Sequence, residues 1–201
     1  MNFTGPKVKL SRKLGIAMTP KARKIMERKP YGPGQHGPNK KRAKVSDFGR
    51  QLLEKQRLRL QYNVHERQMT NYIKKAGRLT GNTGEILVQL LESRLDALVF
   101  RAGFARSTYA ARQYVNHGHV FVNGKVVDIP AYSVQVNDVI QIKEKSRKLD
   151  VFQEAIRSSA APAYLEVSKA DFSARFLYVP PREEVPVICE IPLVVEYYSR
   201  R

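Results

Sequence analysis

The basic residues of this chain are concentrated in its first two fifths. Residues 1–78 contain 21 Lys and Arg against 4 Asp and Glu, a net charge of +17. Residues 79–201 contain 15 against 14, a net charge of +1. An excess of this size indicates a polyanionic partner, and nucleic acid is favoured over a membrane surface. The asymmetry therefore predicts a phosphate-binding front half attached to an ordinary globular remainder.

Composition excludes several other kinds of protein. With 42% apolar residues, the 201-residue chain can bury the core of one or two domains. No apolar run approaches the roughly 18–20 residues of a membrane-spanning helix, and residues 1–10 lack the apolar centre of a secretory signal. The single cysteine, Cys189, excludes an internal disulfide and a cysteine-cluster zinc site, and it fits a reducing compartment. We expect no metal and no cofactor.

Residues 1–45 are predicted to be a basic extension that becomes ordered mainly on its partner. They contain five glycines and five prolines, and too few bulky apolar residues to offset the entropy of ordering. One short helix is predicted from Pro20 to Arg28, because Thr19 and Pro20 form a cap followed by a first-turn proline. The extension's cations that we expect to contact phosphate are Lys7, Lys9, Arg12, Lys13, Lys40, Lys41, Arg42 and Lys44.

The extension also contains a Gly-rich turn at residues 32–37 that matches the letters of a G-x-G-x-x-G dinucleotide motif. No strand precedes the turn, and Pro30 and Pro33 stiffen it, so we reject dinucleotide binding. We expect a rigid turn in which Tyr31, Gln35 and His36 face phosphate or a base, the two rings offering stacking surfaces.

From Ser46 onward the pattern predicts a mainly helical domain over residues 46–91. Ser46 caps a helix that runs to about Tyr62, and a second helix is predicted near residues 65–76, where apolar residues recur at helical spacing. A third apolar-periodic run covers residues 85–102, and Ser93 could re-cap it into two helices. The cations of this domain that we expect to contact RNA are Arg50, Lys55, Arg57, Arg59 and Arg67.

Residues 92–150 predict a helix–turn–helix followed by a β-hairpin. Ser107 is a natural N-cap for a short helix over residues 108–116, and Asn123-Gly124 between two apolar runs is the strongest two-residue hairpin signal. A further strand is predicted at residues 139–143. The residues of this module that we expect to bind and orient RNA are Arg94, Arg106, Ser107, Arg112, Gln113, His117, His119 and Asn123.

The last fifty residues give weaker signals. One more helix is predicted over residues 149–158, and short strands near residues 164–167 and 175–179. Periodicity does not decide between helix and strand for residues 191–198, which are apolar almost throughout.

Alternatives from other functional classes remain open. Arg94-Leu95-Asp96 resembles the tripeptide around the catalytic aspartate of RNA pseudouridine synthases, but here it lies within an apolar-periodic helix. We therefore expect Asp96 to pair with Arg94, Arg101 or a neighbouring backbone group, and we expect no enzyme. His117 and His119 lack a third ligand for a metal. A helix–turn–helix followed by a hairpin also describes a winged-helix DNA-binding protein.

The order of short motifs along the chain is more specific than any one of them. These motifs are YGPGQHG at residues 31–37, EKQR at 54–57, ERQ at 66–68, LESRLD at 91–96, ARQ at 111–113, HGH at 117–119, VNG at 122–124 and EYYSR at 196–200. In this order and spacing the chain resembles the bacterial and organellar uS4 family of small ribosomal subunit proteins. The resemblance runs almost from end to end.

The resemblance implies an α+β fold and a ribosomal function. It implies a helical domain, completed by residues 151–201, into which an S4-type RNA-binding module at 92–150 is inserted. A uS4 protein would bind 16S-type small-subunit rRNA, nucleate assembly of the 30S body and influence translational accuracy. Its partners would be the fifth and third small-subunit proteins and mRNA near its entry channel, with no membrane. It would be ribosome-bound in a bacterial cytoplasm or an organelle. Some relatives hold zinc with four N-terminal cysteines, which this chain lacks.

Overall fold

The structure is a computed structural model that describes residues 3–38, 45–157 and 160–200. Its helices in chain order are α1 (Lys7–Leu14), α2 (Pro20–Arg28), α3 (Asp47–Gln61), α4 (Glu66–Ala76), α5 (Thr83–Glu92), α6 (Leu95–Arg101), α7 (Thr108–Asn116), α8 (Glu144–Arg147), α9 (Asp150–Arg157) and α10 (Ile191–Ser199). Its strands are β1 (Val120–Val122), β2 (Lys125–Val126), β3 (Val139–Ile142), β4 (Leu165–Ser168) and β5 (Ser173–Phe176). A 3₁₀ turn covers Arg182–Glu184.

The described residues form two compact units. Unit 1 contains residues 3–84, apart from the undescribed 39–44, together with residues 187–200, and unit 2 contains residues 85–186, apart from 158–159. The α+β class predicted from sequence is confirmed, because unit 1 is helical and unit 2 contains an antiparallel sheet. Within the described ranges, no helix combines the length and the apolar character needed to cross a membrane.

Three predicted caps start helices as expected. The side-chain oxygens of Thr19, Ser46 and Ser107 accept hydrogen bonds from the backbone N–H groups three residues later, at 3.2, 3.2 and 3.3 Å. Each bond satisfies one N–H that a helix start would otherwise leave unpaired.

Helix α1 departs from the prediction of one short helix in residues 1–45. It follows Pro6, whose side chain makes no capping bond, so the sequence carries no N-terminal signal for it. It ends at Gly15, which adopts the left-handed conformation with φ of 72°. Leu14 and Ile16 are buried, and this burial supplies the stabilisation that composition did not predict.

The undecided segment at the C-terminal end is a helix. Helix α10 packs against α3 within unit 1. Its buried residues recur at a spacing of three and are Ile191, Val194 and Tyr197. A spacing of three places them on one face of a helix, whereas a strand would bury alternate residues. The segment is apolar almost throughout, so its sequence could not reveal this periodicity.

Unit 2 is built around a five-stranded antiparallel sheet with the order β2-β1-β3-β5-β4. Asn123 and Gly124 both have positive φ, 49° and 77°, which is the geometry of the two-residue turn predicted between β1 and β2. Helices α6 and α7 pack against each other, and Leu98, Val115 and Ile140 are fully buried in the common core.

The structure departs from the predicted division of the chain for residues 151–186. These residues were assigned with 187–201 to the helical domain, yet they lie in unit 2. Strand β5 pairs with β3, with Ile140 opposite Ala174, and Phe152 and Phe176 are buried in the same core. Only residues 187–200 complete unit 1. The physical reason is that β5 satisfies the edge of β3, which the hairpin module alone would leave unpaired.

Candidate nucleic-acid interface

The loop at residues 31–38 in unit 1 exposes three residues that were predicted to face RNA. Tyr31 is 38% exposed, and Gln35 and His36 are exposed at the tip. The loop folds back on itself, with the Gly37 N–H donating to the Gly34 carbonyl oxygen at 3.1 Å. A Cβ at Gly37 would overlap the Gly32 carbonyl oxygen, so this close approach requires glycine. The turn is therefore compact and presents both aromatic rings.

Arg12 of α1 is bonded to that loop instead of pointing freely into solvent. Its Nε donates to the Tyr31 carbonyl oxygen at 3.2 Å, and its Nη2 donates to the Gly32 carbonyl oxygen at 3.0 Å. The centre of the guanidinium lies 5.1 Å from the centroid of the Tyr31 ring, within the range of a cation–π contact.

Three cations of α3 that were predicted to contact RNA make bonds inside unit 1. Lys55 is 3% exposed, and its Nζ donates to Glu66 Oε2 at 3.0 Å. Arg57 donates from Nε to the Leu14 carbonyl oxygen at 3.0 Å, and Arg59 donates to Gln56 Oε1 at 2.8 Å. The Lys55 side chain is buried because its Nζ bonds to Glu66 of α4 and lies 5.0 Å from the centroid of the Tyr197 ring of α10. A direct contact of Lys55 with RNA stays a prediction.

The Glu66 carboxylate lies close to two cations of α3, Lys55 and Arg59. Partial burial raises the pKa of Glu66, but the hydrogen bonds from Lys55 and Tyr198 and the positive charges of Lys55 and Arg59 outweigh it. The pKa of Glu66 therefore lies below its ordinary value. Because Tyr198 OH donates to Glu66 Oε1 at 2.8 Å, the same carboxylate also joins α10 to α4.

Other cations of unit 1 remain on its surface. Lys9, Lys13 and Arg67 are exposed, Lys7 is half-buried, and exposed Arg50 forms an ion pair with Asp47. The predicted contacts Lys40, Lys41, Arg42 and Lys44 lie outside the described residues. The site residues selected from the sequence omitted several exposed cations of α2, α4 and their C-terminal ends, whose signal was their spacing along a polar helix face: Lys21, Arg23, Lys24, Arg28, Lys29, Lys74, Lys75 and Arg78.

Two arginines of the module that were predicted to contact RNA are buried in unit 2. Arg94 is 1% exposed and forms a bidentate pair with Asp96 at 3.0 and 2.8 Å, which is one of the three alternatives predicted for that carboxylate. Arg112 is 4% exposed, and its Nη1 lies 3.8 Å from Asp96 Oδ2. Arg112 is buried because α7 turns it toward Asp96 at the start of α6. Direct contact of these two arginines with RNA stays a prediction.

Helix α7 still presents a polar face. Gln113 and His117 are exposed, and so is Asn116, which the predicted site omitted. Ser107 uses its hydroxyl to cap α7, and Arg106 forms an ion pair with Glu154 in which both side chains are about half exposed. These groups are accessible for hydrogen bonds to RNA bases, sugars or phosphates.

The hairpin residues of the predicted site have mainly structural contacts. Asn123 donates from Nδ2 to Asp138 Oδ1 at 2.8 Å, and its own Oδ1 accepts from the Val139 N–H at 2.9 Å. Both ends of its amide therefore stabilise the turn.

His119 lies at the start of the hairpin. Its Nδ1 is 2.9 Å from Ser146 Oγ, and its ring meets Phe152 edge-on. Partial burial lowers the pKa of His119, and the charges of His117 and Lys143 lower it further. The His117 and His119 ring centroids are 6.1 Å apart. Among residues 3–38, 45–157 and 160–200, no three His, Cys, Asp or Glu side chains converge as metal ligands.

The segment that contains the two short helices and the hairpin also matches a known family. Residues 93–140 match the family model described as S4 domain. Residues 2–92 match the model described as ribosomal protein S4/S9 N-terminal domain. The two models therefore define a class of protein in which an S4 domain follows a helical N-terminal domain.

Individual relatives extend the similarity over nearly the whole chain. The chain is 52% identical over 199 residues to small ribosomal subunit protein uS4 of Micrococcus luteus, covering 96% of this chain and 95% of the relative. It is 50% identical over 204 residues to the uS4 protein of Streptomyces avermitilis, covering 99% of each. The uS4 protein of Chlorobium phaeovibrioides is 47% identical over 201 residues, covering 98% of each. The chain belongs to the uS4 family.

Proposed function

We propose that this chain is a constituent of the small ribosomal subunit that binds 16S-type rRNA directly, nucleates assembly of the 30S body and contributes to translational accuracy. The observation that supports this most is the pattern of exposed cations on unit 1, on α1, α2 and α4, in a segment with a net charge of +17. Membership of the uS4 family supplies the identity of the RNA.

The two units contribute differently to RNA binding. Cations of residues 1–78 neutralise phosphates and release counterions, so affinity depends steeply on salt. If about 6–10 phosphates are contacted, affinity falls on the order of 10³–10⁵-fold between 50 and 200 mM salt, by analogy with duplex DNA. Unit 2 has little net charge, and its role is to orient the protein on the RNA. Gln113, His117 and neighbouring groups of α7 can recognise RNA shape, 2′-hydroxyls and splayed bases.

The proposed partners are those that the uS4 resemblance implies. Within the subunit the chain would contact the fifth and third small-subunit proteins and lie near the mRNA entry channel. No chemical step is part of this function, and no cofactor is needed. The protein would be ribosome-bound in the cytoplasm or in an organelle.

The test is binding and footprinting on small-subunit rRNA. The expected result is a discrete protected junction and an affinity that exceeds that for random RNA and for duplex DNA at 150 mM salt. Equal affinity for rRNA and random RNA would contradict the proposal, and a preference for duplex DNA would favour a winged-helix protein. Modified uridines in rRNA incubated with the protein would favour an enzyme.

A further inference from the structure

Arg12 makes contacts that a phosphate ligand does not need. Two N–H groups of its guanidinium donate to consecutive carbonyl oxygens, those of Tyr31 and Gly32, at 3.2 and 3.0 Å. The same guanidinium lies 5.1 Å from the Tyr31 ring centroid. Two bonds from one planar guanidinium to consecutive carbonyls fix their relative orientation, so these bonds hold the loop in one conformation.

The loop that Arg12 holds is also closed from the other side. Gly37 folds against the Gly32 carbonyl so closely that any side chain at position 37 would overlap that oxygen. Gly32 is therefore held between Arg12 and Gly37. The result is a compact turn that carries Tyr31, Gln35 and His36 on its surface.

Arg12 is itself held in place through α1 and α3. Arg57 of α3 donates from Nε to the Leu14 carbonyl oxygen at 3.0 Å, and its Nη1 lies 2.5 Å from Glu54 Oε1. Leu14 is the last residue of α1, so Arg57 fills an acceptor that the helix end leaves open. A continuous series of bonds thus runs from α3 through Arg57 to α1 and from Arg12 to the loop.

We propose that Arg12 is a positioning residue for RNA recognition, which holds the Tyr31 ring and the 31–38 loop ready to stack on an unpaired base. The proposal rests on the proposed function, because it assigns Arg12 a role within the same RNA-binding surface. It changes the role predicted from sequence, in which Arg12 neutralises a phosphate. Lys at position 12 keeps the charge but cannot reproduce the planar, bidentate bonding or the stacking.

Salt dependence separates positioning from phosphate binding. Affinity falls as salt rises, and each phosphate contact increases the magnitude of the slope of log affinity against log salt by about one. Base stacking changes this slope almost not at all. Arg12→Lys is expected to weaken rRNA binding about tenfold, the order of one lost base–aromatic stack, without changing the slope. Lys9→Gln, at an exposed position of the same helix, is the matched control and should lower the slope by about one.

A double-mutant cycle connects Arg12 to Tyr31. Tyr31→Ala alone is expected to weaken binding about tenfold with an unchanged slope. Because both residues act through the same stack, Arg12→Lys should add less than about twofold in the Tyr31→Ala protein. If Arg12→Lys binds like the wild type while Arg12→Gln lowers the slope by about one, Arg12 is a phosphate ligand and the proposal is wrong. Tyr31→Ala binding like the wild type would also overturn it, even if the Arg12 variants fail to fold.

Hydrogen exchange in the RNA-free full-length protein gives an independent measurement. The Gly37 N–H is bonded to Gly34 at 3.1 Å, and Arg12→Lys should increase its exchange at least about tenfold while α3 stays protected. Unchanged exchange at Gly37 would show that Arg12 does not hold the loop. If the wild-type protein did not distinguish rRNA from random RNA, the proposed function would fail, and the exchange result would still decide what Arg12 does.

Discussion

Arg94 and Asp96 form a buried bidentate ion pair in unit 2, with Nε to Oδ1 at 3.0 Å and Nη2 to Oδ2 at 2.8 Å. Arg94 is the N-cap residue of α6, and Asp96 lies in the first turn of that helix. The pair therefore fixes the point at which α5 ends and α6 begins, and α7 adds Arg112 to the same carboxylate. The Arg94-Leu95-Asp96 tripeptide is therefore buried in the module.

Removing one member of this pair should destabilise unit 2 strongly. Arg94→Met is expected to cost about 3–5 kcal/mol of unfolding free energy, because it leaves the Asp96 carboxylate buried and short of a partner. The change is measured by urea unfolding, in which the loss of structure is monitored at residues of unit 2. Arg106→Met is the control, since its ion pair with Glu154 is exposed and should contribute no more than about 1 kcal/mol. Equal losses in the two variants would contradict the structural role of the buried pair.

Two neighbouring residues of α7 should affect different properties: Arg112 the stability of unit 2, and Gln113 the binding of rRNA. Arg112→Ala should lower the stability of unit 2, because the side chain is buried beside Asp96. Gln113→Ala should leave the unfolding free energy within about 0.5 kcal/mol and should weaken selective rRNA binding, because its side chain is exposed. Thermal unfolding and rRNA titration of both variants check this. A loss of binding in Arg112→Ala without any loss of stability would support the direct RNA contact predicted from sequence and contradict the structural role.

The pH dependence of unit 1 should contain a contribution from Glu66. Its folded-state pKa lies below the ordinary value of 4.5, so the stabilisation is fully present above pH 4.5 and is lost as pH falls through the lower folded pKa. The Glu66→Gln protein should therefore be less stable than the wild type at pH 7, and the difference should shrink below pH 4.5.

Chemical denaturation at pH 7, 5, 4 and 3 provides the measurement for Glu66. Tyr198→Phe, which removes one of the two side-chain hydrogen bonds that lower this pKa, should reduce the pH dependence only in part. A stability difference between wild type and Glu66→Gln that stayed constant from pH 7 to pH 3 would rule out a lowered folded-state pKa.

The two glycines at the ends of the 32–37 turn should respond differently to alanine. A Cβ at Gly37 would overlap the Gly32 carbonyl oxygen, whereas a Cβ at Gly32 meets nothing within 4 Å. Gly37→Ala is therefore expected to open the loop and weaken rRNA binding by about tenfold, the order of one lost base stack, with α3 and α4 intact. Gly32→Ala should bind within about twofold of the wild type. Titration with rRNA, together with circular dichroism, distinguishes the two, and equal binding by both variants would show that the turn geometry is unimportant.

Local signals predicted much of the fold. The three side-chain caps and the Asn123-Gly124 turn depend on a few consecutive residues, and each forms as predicted. Helix α1 lacks such a cap, so it was missed. The separation of α5 from α6 near Ser93 was anticipated, but the buried Arg94–Asp96 pair that stabilises it was recognised only as one alternative.

The candidate site was harder to predict from the sequence than the fold. Polar side chains on a helix can be counted, but their burial depends on the elements packed against them. Lys55 and Arg112 have acidic partners on other helices, and these partners turn the charges inward; Arg94 pairs with Asp96 only two residues away. Lys9, Arg67 and Gln113 have no such burial and remain exposed, as an RNA-binding role requires.

The amino-acid sequence by itself determined where the charge lies, which local elements begin at strong caps and turns, and which family the motifs resemble. These properties depend on composition and on residues close together along the chain. Only the tertiary structure decided that β5 pairs with β3, that α10 is a helix in unit 1, and which arginines are buried. The reason is that strand pairing and burial depend on contacts between residues far apart in sequence, and those contacts exist only once the chain has folded.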